Sequence, residues 1–74
     1  MSPDETKQRL AEIEAPYNRQ VWLDDVKFDS GMQLLRVTIR EGRRITQLDI
    51  DPETAAQWGE TLVKWSEESK TLDS

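Results

Sequence analysis

The stretch Leu34–Ile50, LLRVTIREGRRITQLDI, constrains this chain more than any other, because it is patterned as a half-buried β-hairpin. Leu35, Val37 and Ile39 alternate with Arg36, Thr38 and Arg40, the period of a strand with one dry and one wet face. If Glu41-Gly42 forms the two-residue loop, Gly42 supplies a positive φ and Arg40 lies opposite Arg43. Ile39 then pairs with Arg44, Val37 with Thr46 and Leu35 with Leu48. One face carries Leu35, Val37, Ile39, Thr46, Leu48 and Ile50. The other carries Leu34, Arg36, Thr38, Arg40, Arg43, Ile45, Gln47 and Asp49. A slip of one residue would exchange the faces of the second strand, and the apolar matching selects this register.

The residues before the hairpin predict one more strand, Tyr17 to Asp29. Trp22, Val26 and Phe28 share one parity and Val21 and Leu23 the other, so the apolar set changes parity near Asp24-Asp25. Either a bulge sits there or the strand is apolar on both faces. A turn centred on Ser30-Gly31 places Phe28 opposite Gln33, Val26 opposite Leu35 and Trp22 opposite Ile39. Trp22, Val26 and Phe28 would then join Leu35, Val37 and Ile39 on one core face.

Asp51-Pro52-Glu53 is a helix start, with an acid at the cap and proline at the first helical position. Ala55, Trp58, Gly59, Leu62 and Trp65 recur at helical spacing, opposite Gln57, Glu60, Lys64 and Glu67. This amphipathic helix, 52–70, is expected to cover the sheet, with residues 71–74 as a tail. At the other end Ser2-Pro3-Asp4-Glu5 also reads as a helix start, but only Leu10 and Ile13, beside Ala11, form an apolar stripe before Ala15-Pro16. Residues 1–16 are therefore expected to be a short helix or a mobile arm. The predicted fold is a single α+β domain: a three-stranded antiparallel meander over 17–51, flanked by a short N-terminal helix and a C-terminal helix packed on one face, in the order α-β-β-β-α. Its expected core comprises Trp22, Val26, Phe28, Leu35, Val37, Ile39, Leu48, Ile50, Ala55, Trp58, Leu62 and Trp65.

Composition narrows the function classes. The chain has 74 residues, a size at which one core is barely sufficient, and it has no cysteine to staple it. With no histidine and no cysteine, the usual hydrolytic triads and common zinc sites are excluded. Asp24-Asp25 and Asp49/Asp51 are the close acid groupings near the sheet, but strand neighbours point to opposite faces and Asp51 is already a helix cap. Gly31, Gly42 and Gly59 are too far apart for a phosphate loop. The expectation is a protein that is not an enzyme and needs no cofactor or metal. A polar opening at Met1-Ser2-Pro3-Asp4 and the lack of an apolar run near the ~18 residues of a membrane span point to a cytoplasmic protein with no membrane partner.

The formal net charge of −5 is unevenly spread. Residues 1–14 carry four acids and two bases, residues 15–50 five and six, and residues 51–74 six and two. The positive charge gathers at the hairpin. The candidate binding residues are accordingly Arg36, Thr38, Arg40, Arg43, Arg44, Ile45 and Gln47. A basic β-ribbon with hydrogen-bonding side chains can enter a groove or follow a phosphate backbone. The competing reading is a solvated sheet face, its arginines paired with acids such as Glu41 or Asp49. The net charge works against nucleic acid, and Tyr17 is the one aromatic not assigned to the core.

A strand pair running through Leu48-Asp49-Ile50-Asp51-Pro52-Glu53 into an amphipathic helix resembles the strand-to-helix element of the single-stranded-DNA-binding coactivators, over about the last third of the chain. That resemblance implies nucleic-acid binding; the strand aromatics and lysine-rich approach of those proteins have no match here, and no binding residue carries over. Leu34, Ile45, Val21 and Leu23 have no place in a core with one covered face, which favours self-association. The leading expectation is a small non-enzymatic protein-interaction module that forms a homodimer. The alternative is a nucleic-acid-binding accessory protein using the arginine face.

Overall fold

In a computed structural model, residues 5–73 are described, with side chains through residue 70. The order is β1 (Glu5–Ala15), β2 (Arg19–Phe28), β3 (Gln33–Glu41), β4 (Arg44–Ile50) and α1 (Pro52–Asp73). The strands form one antiparallel sheet in the sequential order β1-β2-β3-β4, each joined to the next by a short turn. The α+β class stands, but the sheet has four strands and there is no helix over residues 5–15. The proposed helix cap at Ser2-Pro3-Asp4 lies outside the described residues.

The segment expected to be an N-terminal helix is β1, paired with β2 along its length. As a helix it would bury little beyond Leu10 and Ile13. As a strand it gains a full backbone ladder, sets Ala11 and Ile13 beside Leu23 and Val21, and brings Arg9 to Asp24. Tertiary pairing outweighs a modest helix propensity. The register shifts between Arg9 and Ala11, so the bulge lies in β1, opposite Asp24 and Leu23. β2 itself pairs without interruption against β3 and is apolar on both faces. The turn into β2, Pro16-Tyr17-Asn18, has Tyr17 and Asn18 at φ 66° and 60°. Asn tolerates that conformation and Tyr does so only at a cost.

The turn between β2 and β3 corrects the predicted core. Phe28 N–H donates to the Met32 carbonyl and Gly31 N–H to the Phe28 carbonyl, each at 2.9 Å, and Gly31 has φ +96°. The loop is thus the three residues Asp29-Ser30-Gly31, a type I turn closed by a left-handed glycine, rather than two residues centred on Ser30-Gly31. One extra loop residue moves the register by one: Val21 lies opposite Ile39, Leu23 opposite Val37 and Trp22 opposite Thr38. Val21 and Leu23 therefore join Leu35, Val37 and Ile39, while Trp22, Val26 and Phe28 sit on the other side of the sheet.

The β3–β4 turn moves by one residue, with Gly42 (φ +61°) and Arg43 as its centre and Glu41 opposite Arg44, which shifts the strand partners by two. Glycine at the first central position suits a type II′ turn. An even shift preserves the faces: Ile39 now meets Thr46, Val37 meets Leu48 and Leu35 meets Ile50.

α1 starts as expected. Ala55 N–H donates to the Asp51 carbonyl at 2.9 Å and Thr54 N–H to Asp51 Oδ1 at 3.3 Å. Hydrogen bonds from Thr54, its hydroxyl first, hold the Asp51 carboxyl below its usual value. The helix continues to Asp73, three residues beyond the predicted end at 70. Among the described residues no helix is long and apolar enough to cross a membrane.

Ala55, Trp58, Gly59 and Leu62 line an apolar cleft with Leu35, Val37, Leu23, Val21 and Ile13, so α1 lies over the face carrying Val21 and Leu23. The covering is shallow. Among the described residues the buried hydrophobic ones are Val26, Val37 and Ile50, and Val26 lies on the side without a helix. Of the expected core, Leu48, Leu62 and Trp65 are exposed, and Trp22, Phe28, Leu35, Ile39, Ala55 and Trp58 are half-buried.

The register rests on Gly31, whose side-chain position is open space, so a substitution there acts through the backbone alone. Gly31→Ala should destabilise the protein by about 1 kcal/mol in urea unfolding, whereas Ser30→Ala should change it by less than about 0.5 kcal/mol. Equal effects would mean that the loop does not depend on the left-handed glycine.

Candidate interaction surfaces

The side of the sheet without a helix holds most of the candidate binding residues, and its centre is an ordered charge ladder. Arg9 of β1, Asp24 of β2, Arg36 of β3 and Asp49 of β4 follow one another in register across all four strands, alternating in sign. Arg9 Nε donates to Asp24 Oδ1 at 2.5 Å, and Asp24 is 2 % exposed. Arg36 grips Asp49 through two bonds, Nε to Oδ1 at 2.8 Å and Nη2 to Oδ2 at 3.0 Å. Its Nη1 also reaches Glu5 at 3.4 Å. An arginine on β3 can reach an acid on β1 only by lying across β2. Val26 of β2, on this helix-free side, is fully buried. The Arg9 guanidinium also lies 5.1 Å from the centre of the Trp22 ring, a cation–π contact that helps to cover the indole.

The candidate residues therefore divide. Arg36 is held by Asp49 and Glu5 and is largely a structural cation. Thr38 is 3 % exposed and accepts from Gln47 Nε2 at 3.2 Å, which ties the exposed Gln47 to the neighbouring strand. Arg40 turns back to the Gly42 carbonyl at 3.2 Å. Ile45, opposite Arg40, is 59 % exposed. Arg43 occupies the turn rather than the strand face, and Arg44 pairs with Glu41 in the backbone register, on the helix side. Among the described residues neither Arg43 nor Arg44 has an ion pair. The continuous basic face expected from the sequence is thus reduced to the end of the sheet. There Arg43 and Arg44 join Arg40, Arg19 and Tyr17, since the β1–β2 and β3–β4 turns lie at the same end of a meander. Arg19 is itself paired with Glu41 at 2.7 Å and lies 5.7 Å from the Tyr17 ring centre.

The acids do not assemble a reaction centre. Asp24 and Asp25 face opposite sides of β2; Asp24 is bonded to Arg9 and Asp25 accepts from Gln33 Nε2 at 2.9 Å. Asp49 is engaged by Arg36 and Asp51 caps α1. No group of three potential metal ligands occurs among the described residues.

The second surface is apolar and lies on the helix side. The cleft between sheet and helix, about 240 Å³, is lined almost wholly by carbon. Ile13 and Leu62 at its rim, and Leu48 and Trp65 beyond it, are each exposed by between 44 and 66 %. The sequence pattern pointed to the apolar stripe of α1 but assigned it to an internal core. The pairing of Arg9 with the buried Asp24 was missed, although an aspartate inside Val21-Trp22-Leu23-Asp24-Asp25-Val26 is a signal for a buried charge that needs a cation.

Hydrogen bonding from Arg36 holds the Asp49 carboxyl below its usual value. A carboxylate with a depressed folded-state pKa stabilises the fold above its unfolded pKa, and that contribution is lost as pH falls through the folded value. Thermal stability should accordingly drop as pH falls below about 5, and Asp49→Asn should lower stability at neutral pH and flatten the acid limb. A melting-temperature profile unchanged in slope by that substitution would show that the ladder carries no pH dependence.

The family of unknown function DUF6967 matches residues 4–68. No curated protein and no solved structure matches the chain. Since the match takes in all four strands and most of α1, this chain belongs to the DUF6967 family.

Proposed function

We propose that the protein is a small, non-enzymatic protein-interaction module that works by self-association. One observation carries this reading: α1 covers the sheet incompletely, leaving Leu62 and Trp65 with Ile13 and Leu48 as an apolar surface on the helix side. Large apolar side chains at this density are costly to leave in water, at roughly 1.5–3 kcal/mol for each one that could be buried. On the opposite side Arg9 and Arg36 are already matched to Asp24 and Asp49, so specificity would come from the apolar side and its rim. Static light scattering at micromolar concentration should give a mass of two chains, and a single-chain mass across the concentration range would overturn the reading.

A second reading has one observation in its favour. Tyr17, 86 % exposed, stands at the same end of the sheet as Arg40, Arg43 and Arg44, a combination suited to a single-stranded nucleic acid. It would show as binding to an oligonucleotide at low salt that weakens as salt rises and is lost in an Arg43→Ala, Arg44→Ala variant. Absence of binding at low salt would remove it.

A further inference from the structure

We infer that the second copy covers the helix side of the sheet, each chain seating the distal part of the α1 stripe, Leu62 and Trp65, on the apolar sheet face of the other. This rests on the self-association reading and specifies which surfaces meet.

The surface area calls for a partner of this size. The chain exposes 6288 Å², against about 4,700 Å² for a compact monomer of its mass. Its radius of gyration is 15.0 Å, where about 11 Å is usual for this length. The excess area, about 1,600 Å² per chain, exceeds the ~800 Å² that each partner buries in a standard interface and falls in the range of obligate dimers.

The location of the excess selects the surface. Trp58, Leu62 and Trp65 lie on one stripe at steps of four and three, yet burial falls along it. Trp58 is half-buried over its own sheet, Leu62 is 56 % exposed at the mouth of the cleft and Trp65 is 66 % exposed beyond it. The stripe thus extends past what its own sheet can cover. On the sheet, Ile13 and Leu48 flank the cleft and are themselves exposed. A two-fold operation that brings these two deficits together satisfies both at once, as a self-complementary interface requires. Pairing of sheet edges would satisfy neither, because it leaves the cleft and Trp65 in water. The β1 edge is moreover broken by its bulge. Charge agrees with a second copy. Six acids and two bases lie in residues 51–74, whereas Arg44 lies on the helix side of the sheet without an ion pair among the described residues.

The test uses the full chain. Wild type, a Leu62→Glu and Trp65→Glu double variant, and Ile45→Glu as a control on the opposite side are compared by light scattering over a concentration series, with circular dichroism to check folding. The expected result is two chains for wild type and Ile45→Glu, and a dissociation constant raised at least a hundredfold in the double variant. As a measurement that leaves Trp65 in place, Trp22→Phe and Trp58→Phe make it the sole tryptophan. Its emission should shift to the blue as concentration rises through the dimerisation range. A dimer that survives the double substitution, or a Trp65 emission that stays solvent-like in the dimer, overturns the helix exchange while self-association stands. A dimer lost only in Ile45→Glu overturns it too, by placing the interface on the charged side. A monomeric wild type overturns both.

Discussion

The pairing of β2 with β3 is the constraint on which the rest of the structure depends. β2 is apolar on both parities, so its own residues do not choose which side meets the helix. The choice is made by the length of the next turn. With Asp29-Ser30-Gly31 as a three-residue loop, Val21 and Leu23 fall under α1, and Trp22, Asp24 and Val26 fall on the opposite side. Because side chains alternate with a period of two, one loop residue exchanges an entire strand's faces.

Once β2 is placed this way, the side without a helix has to cover a tryptophan, a buried valine and a buried aspartate by itself. It does so with long cations. Arg9 neutralises Asp24 and stacks near Trp22, and Arg36 spans the sheet between Asp49 and Glu5. Of the residues that look most available for binding in the sequence, Arg36, Thr38 and Gln47 are thereby occupied in holding strands together. This also explains why β1 is a strand. Asp24 needs a cation on the outer side of β2, and Arg9 supplies one only when its segment runs alongside.

On the helix side the shortage is of apolar cover rather than of charge. A 74-residue chain with one shallow helix–sheet contact has little interior, and its buried apolar residues are Val26, Val37 and Ile50. The unused capacity is concentrated at Leu62 and Trp65 on α1 and at Ile13 and Leu48 on the sheet. A single structural deficit therefore connects the fold to the proposed association.

The β3–β4 hairpin, its two faces, the cap at Asp51 and the helical phase of α1 were all legible in the chain, because each depends on residues close in sequence. Alternation, a helix-start triplet and a glycine in a turn act locally. The candidate residues Arg36, Thr38 and Gln47 were placed on the correct face, but their engagement was not legible, since it depends on Asp49, Glu5 and Thr38 arriving across strands. Likewise, nothing within residues 5–15 says strand; that state comes from the open edge of β2 and from Asp24. What the sequence by itself determined is the set of amphipathic elements and their local ends. Only the tertiary structure decided which side of β2 faces the helix, that β1 completes the sheet, and that the stripe of α1 outruns its own sheet, because register and coverage are properties of paired segments rather than of any segment alone.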